Sequence, residues 1–156
     1  MKIKGKIYSG AATKTLVIPR GDENIVFILG ATLDYDKFNE LCPAPKPPNI
    51  VKPDNSSHPD FDDKDYIEKA REYGTKRFHY MIVSAFSFTP DLEFDTVNIN
   101  DPATWANVET ELKEAGFTLS EISLMLNNII DINGLDQEKI EKATKDFLAT
   151  QAAAQG

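Results

Sequence analysis

The chain has 156 residues, 41% of them hydrophobic and 27% charged, a balance that excludes wholesale disorder and suits one compact domain. Acidic residues number 25 against 17 basic ones, for a formal net charge of -8, which argues against a nucleic-acid interface and against docking on anionic lipid. A single cysteine, Cys42, excludes an internal disulfide and points to a reducing compartment.

The N-terminus alternates apolar and polar residues from Lys2 to Tyr8. It carries no apolar core of the roughly 7–15 residues that a signal peptide needs. No run approaches the ~18 apolar residues of a membrane helix. The expectation is a protein kept inside the cell, with neither nucleic acid nor membrane as partner.

Residues 1–42 read as a β-rich part with a short helix. Lys2 to Tyr8, Thr13 to Ile18 and Asn24 to Leu29 have strand patterns, separated by turns at Ser9-Gly10 and Arg20-Gly21-Asp22. They predict an antiparallel meander. Ile25-Val26-Phe27-Ile28-Leu29 is apolar on both faces, which predicts a strand covered on both sides. Asp34 opens a short helix with Phe38 and Leu41 on one face, ending before Pro43.

Residues 43–61 read as a connector. Five prolines between Pro43 and Pro53 forbid helix and favour an extended track. Residues 62–149 read as helical. Asp62 or Asp63 can cap a helix reaching Phe86, with Tyr66, Ala70, Tyr73, Arg77, Tyr80 and Met81 near one stripe and Gly74 as a candidate break. Phe88 to Val97 is irregular to strand-like, with Leu92 and Phe94 alternating with Glu93 and Asp95.

The next boundaries are sharp. Asp101 is an N-cap, Pro102 fills the first helical position, and Trp105, Val108, Leu112 and Ala115 line one face before Gly116 ends the helix. Thr118-Leu119-Ser120-Glu121 is a capping box preceded by Phe117 as staple. It opens a helix carrying Ile122, Met125, Leu126, Ile129, Ile130 and Ile132, ended by Gly134. Asp136 starts a last helix whose Ile140, Ala143, Phe147 and Leu148 are expected to face inward. Residues 150–156 lack an apolar stripe and are expected to form a flexible tail. The fold class is therefore α+β: a small antiparallel sheet of roughly three or four strands, then a bundle of about four or five helices.

Chemistry-bearing residues are sparse. His58 and His79 are the only histidines, and no His-x-x-His, His-Glu-x-x-His or Cys-x-x-Cys spacing accompanies them. Cys42 follows a helix instead of opening one, so it reads as a small semi-buried cysteine and not as a nucleophile. Asp60-Phe61-Asp62-Asp63-Lys64-Asp65 has Lys64 and Asp65 where a calcium loop wants an oxygen ligand and glycine. A second weak calcium match from Asp131 and Asn133 fails at Leu135 and Lys142. Both acid groups read better as acids at helix starts, which the helix dipole favours. There is no phosphate loop and no Gly-x-Ser-x-Gly elbow. No catalytic, cofactor-binding or metal-binding residue is assigned, and the partner-binding surface stays open. The aromatics Tyr66, Tyr73, Phe78, Tyr80, Phe86, Phe88, Phe94 and Trp105 read as core, with an exposed patch for a partner as the alternative.

The segment from Trp105 to Glu121, which includes Glu111-Leu112-Lys113-Glu114-Ala115-Gly116-Phe117, resembles the tail assembly chaperones of long-tailed bacteriophages. Asn133-Gly134-Leu135-Asp136 and the Ala143-to-Leu148 helix add to the likeness. So does the order of strands, Cys42-Pro43-Ala44-Pro45 connector and tyrosine-rich helix. The resemblance covers residues 35–148. It implies a non-enzymatic protein of the host cytoplasm that coats the tape measure protein, helps recruit tail tube protein and is absent from the finished virion. No catalytic residues carry over, and some members have a longer frameshifted form. The alternative is a permanent virion protein, such as a head–tail connector or tail completion protein, whose N-terminal strands add to a neighbour's sheet. An enzyme with a diffuse acidic site is a third reading. Self-association fits any of them.

Overall fold

The protein is described from a computed structural model, which covers residues 1–134 and 137–155. The fold is α+β, with helices following small antiparallel strand pairs. The strands do not form one meander. They pair off as three separate hairpins.

The first hairpin joins β1 (Lys2–Ile3) to β2 (Lys6–Ile7). Lys4 and Gly5 both have positive φ, at 49° and 82°, as a two-residue type I′ turn requires. That turn folds the N-terminal segment back on itself, so it cannot run on as one strand of a larger sheet.

The second hairpin positions the core. β3 (Thr13–Arg20) pairs along its whole length with β4 (Glu23–Gly30) through a turn at Gly21-Asp22, where Gly21 has φ 57°. Ile18, Phe27 and Leu29 are buried on its inner face, whereas Val17 and Val26 on the outer face stand half exposed. The apolar run of β4 is thus sealed on one side only. Its outward backbone is partly satisfied by Thr89, whose hydroxyl both accepts from Ile28 N–H and donates to Ile28 C=O, each at 3.0 Å. Pro19 sits near the end of β3, on a strand edge where its missing N–H costs nothing.

Helix α1 (Asp36–Leu41) buries Phe38 completely. Asp34 Oδ1 accepts from Asp36 N–H and so shapes the turn into the helix. The proline segment then does more than connect: β5 (Asn49–Val51) and β6 (Ser57–Pro59) form a third, fully exposed hairpin inside it. Asn55 takes the left-handed turn position at φ 64°, a place where asparagine is tolerated.

Asp63 caps α2 (Lys64–Phe86) by accepting from Tyr66 N–H at 2.8 Å. Gly74 does not break the helix. Its C-terminal part is the buried one, with Tyr80, Ile82, Val83, Ala85 and Phe86 buried, while Tyr73 nearer the middle packs on the core partly exposed. Phe78 and Ile67 point to solvent. Residues 88–100 follow without forming a strand, although Leu92, Phe94, Val97 and Ile99 all pack on the core.

The expected helix from Asp101 to Gly116 is two elements. Asp101 caps a 3-10 helix, Pro102–Asn107, and α3 (Val108–Glu114) continues from it. Trp105 lies at the centre, 1% exposed, its indole N–H donating to Asn98 C=O and Ile99 C=O. Gly116 ends α3 with φ 90°, and Phe117 N–H reaches back to Leu112 C=O, the closing bond of a Schellman motif. Ala115 is exposed, not core-facing.

Helix α4 (Leu119–Asn133) opens on the expected capping box: Thr118 accepts from Glu121 N–H and Glu121 from Thr118 N–H. Ile122, Met125 and Ile129 are buried. Asn133 also pins the chain after β4, accepting from Thr32 N–H at 2.7 Å. The predicted start of the last helix at Asp136 lies outside the described residues, as does Leu135. Helix α5 (Gln137–Gln155) includes residues 150–155 of the segment expected to form a flexible tail, and Gly156 lies outside the described residues. None of its residues is buried, so the inward orientation expected of Ile140, Ala143, Phe147 and Leu148 is not found.

One core joins the β and helical parts. Phe38 has aromatic neighbours from three directions: Tyr73 at 5.1 Å, Tyr80 at 5.6 Å and Trp105 at 6.0 Å between ring centroids. Phe27 meets Phe86 at 5.7 Å and Phe117 at 5.6 Å. Such edge and tilted pairs add about 0.5–1.5 kcal/mol each beyond area burial.

Candidate functional site

The residues singled out for chemistry are scattered. His58 lies exposed on β6, and His79 is half-buried on α2 beside Phe78. Cys42 is buried at the end of α1. It borders a broad hollow of about 560 Å³ whose charged lining is Lys69, Glu72, Lys76 and Asp101, with neither histidine present. Within Asp60 to Asp65, Asp63 is the α2 cap and Asp60 accepts from Asp62 N–H in a local turn. Asp131 stands exposed in the last turn of α4, not at the expected helix start, so the dipole does not favour it there. Among the described residues, no three of His, Cys, Asp and Glu come together in a way that holds a metal ion. No helix among them is long and apolar enough to cross a membrane.

What the fold presents instead is apolar surface. On α5, Ile140 is 43%, Phe147 58% and Leu148 59% exposed. Ile140, Ala143, Phe147 and Leu148 keep helical spacing, so three large side chains share a face that no part of the described chain covers.

A concave site lies on the opposite kind of element, inside the folded core's rim. A groove of about 270 Å³ has Phe27 of β4, Leu92 and Phe94 of the segment after α2, Leu112 of α3 and Phe117 for its floor. Its edge carries Glu93, Asp95 and Glu114. These three carboxylates are exposed and, among the described residues, form no ion pair or side-chain hydrogen bond. No lysine or arginine lines the groove.

Glu111 builds one wall. Its carboxylate accepts from the N–H groups of Asp95 at 2.8 Å, Thr96 at 2.6 Å and Val97 at 3.2 Å, and from the Thr96 hydroxyl. Partial burial opposes its ionisation, but the bonds from Thr96, Asp95 and Val97 outweigh that and hold its pKa below the ordinary carboxylate value. A single side chain thereby fixes the otherwise irregular 92–97 segment over the core.

The far wall is fixed by a second carboxylate. Glu121 receives both guanidinium nitrogens of Arg20, one at 2.7 Å, as well as Thr118 N–H. Arg20 also donates to Gly116 C=O at 3.1 Å and lies 4.9 Å from the Phe117 ring centroid. The hydrogen bonds from Arg20, then that from Thr118, bring the Glu121 pKa down to about 2. The corner that carries Phe117 is thus tied to β3 by an arginine 101 positions away from Glu121.

Neither Glu111 nor Arg20 stands out in the sequence. The alternation Leu92-Glu93-Phe94-Asp95 does carry a trace of the groove, because it puts apolar and acidic side chains on opposite sides of one extended segment. Compared with protein-family models, with curated proteins and with solved structures, the chain has no match in any of the three.

Proposed function

We propose that this chain is a non-enzymatic assembly chaperone of a phage tail, acting in the host cytoplasm by holding an apolar helical segment of the tape measure protein and assisting addition of tail tube protein. The observation that carries the reading is α5, a helix of 19 residues of which none is buried and whose Ile140, Phe147 and Leu148 share one uncovered face. An isolated amphipathic helix gains most of its stability from a packed partner, and a helix-in-groove or helix-on-helix client supplies one. The resemblance of residues 105–121 to tail assembly chaperones gives the client its identity. A net charge of -8 helps keep a loaded complex dispersed.

The experiment is co-expression with the tape measure protein encoded in the same genome. The expected result is a complex that survives purification, with capture reduced when Phe147 and Leu148 are both replaced by serine. Absence of co-purification overturns the reading. Mass spectrometry of purified particles separates it from the virion-component alternative, which requires the chain to be present in the finished particle.

A further inference from the structure

We propose that the groove between the 92–95 segment and α3 seats an apolar side chain from a lysine- or arginine-bearing segment of another polypeptide. The proposal rests on the protein-holding reading above and adds a second contact surface and the chemistry of what it takes.

The groove is apolar where it is deep and acidic where it is open. Phe94, Leu112 and Phe117 lie at its floor, and Glu93, Asp95 and Glu114 stand at its edge. An apolar side chain entering it displaces water from aromatic and leucine surface, the arrangement of an anchor residue in a pocket. The edge decides the sign of the flanking residues. Three unpaired carboxylates around one opening repel one another and any acidic visitor, while cations on either side of an anchor relieve that repulsion. Glu111, the fourth carboxylate of the lining, is by contrast engaged with the 95–97 backbone. The groove is also preformed. Glu111 holds one wall and the Arg20–Glu121 pair the other, so occupation demands little reorganisation.

The closing experiment uses the full chain and a synthetic helical peptide of leucine and lysine, with its leucine–glutamate counterpart as control. Binding is followed by calorimetry and by backbone amide shifts. The expected result is saturable binding of the lysine peptide, with shifts concentrated at Phe94, Leu112 and Phe117 and at least tenfold weaker binding of the glutamate peptide. Glu93→Lys/Glu114→Lys weakens it at least tenfold. Glu68→Lys/Asp131→Lys, the same charge change at exposed sites outside the groove, weakens it less than threefold. Equal losses in the two double variants, shifts mapping elsewhere, equal binding of both peptides, or no binding each overturn the proposal. Should the groove variant fail to fold, wild-type binding at low and at 1 M salt keeps the test alive. At 1 M the screening length falls to about 3 Å, and affinity that does not fall removes the role of the acidic edge. Failure of the peptide test leaves the chaperone reading to be judged by tape measure co-purification, so the two fail separately.

Discussion

Helices α4 and α5 follow one another, and both repeat apolar residues at helical spacing, yet they end up in opposite surroundings. In α4, Ile122, Met125 and Ile129 are at most 3% exposed. In α5, Ile140, Phe147 and Leu148 all stand open to solvent. The periodicity of a sequence establishes that a helix has an apolar face; it does not name what covers that face. In α4 the cover is β3, β4 and α2 of the same chain. For α5 no described segment supplies it, and that contrast is the reason for reading the molecule as one that holds others.

The comparison sharpens most through paired phenylalanines. Phe38→Ala removes a fully buried ring among Tyr73, Tyr80 and Trp105 and is expected to cost about 3–5 kcal/mol in urea unfolding. Phe147→Ala on α5 is expected to stay within about 0.5 kcal/mol of wild type. A comparable loss for Phe147 breaks the contrast, because it requires α5 to be packed.

Next in size is Gly30→Ala. A methyl group there meets the Phe88 ring at 2.2 Å, so strand and ring must move apart, at a cost of about 1–3 kcal/mol. Phe88→Ala in the same chain is expected to recover part of that loss in a double-mutant cycle. No recovery removes the explanation.

Smaller and pH-dependent is Glu121→Gln. The folded-state pKa lies below the ordinary 4.5, at about 2. A depressed carboxylate stabilises the fold above its unfolded-state pKa, and that contribution disappears as pH falls through the folded-state value. Wild type is therefore expected to lose thermal stability between pH 4.5 and about 2, whereas the variant starts lower at neutral pH and changes less over that window. Parallel melting curves across the window remove the Arg20–Glu121 tie from the account.

The smallest expected stability effect belongs to Phe147→Ser/Leu148→Ser, within about 0.5 kcal/mol. If the proposed function holds, its effect on tape measure capture is large. The reverse pattern, an unstable variant that captures normally, assigns α5 to the fold instead of the client.

Local signals were the legible part of the fold. Asp63, one of the two candidate caps of α2, the Asp101 cap, Pro102, Gly116 and the Thr118–Glu121 box are found as expected, because capping depends on residues within one turn of each other. Pairing was less legible. Lys4-Gly5 folds the first strand pattern into its own hairpin, and the connector forms a strand pair even with Pro53 in its turn and Pro59 at the end of its second strand. These outcomes hang on turn geometry at single residues such as Asn55. Of the groove, only the 92–95 alternation was visible. Its other walls come from β4, α3 and the Gly116-Phe117 corner, brought together by contacts between residues far apart in sequence.

The tie between Arg20 and Glu121 has a temporal side. As synthesis proceeds, the β3–β4 hairpin leaves the ribosome early, but its inner face has no complete lining until Phe86, Phe117 and Ile129 have followed. Thr89 arrives 61 positions after the strand residue it braces, and Glu121 arrives 101 positions after its arginine. A nascent chain therefore carries bare aromatic surface until these partners follow, and packing of the hairpin's inner face must wait for the last of them.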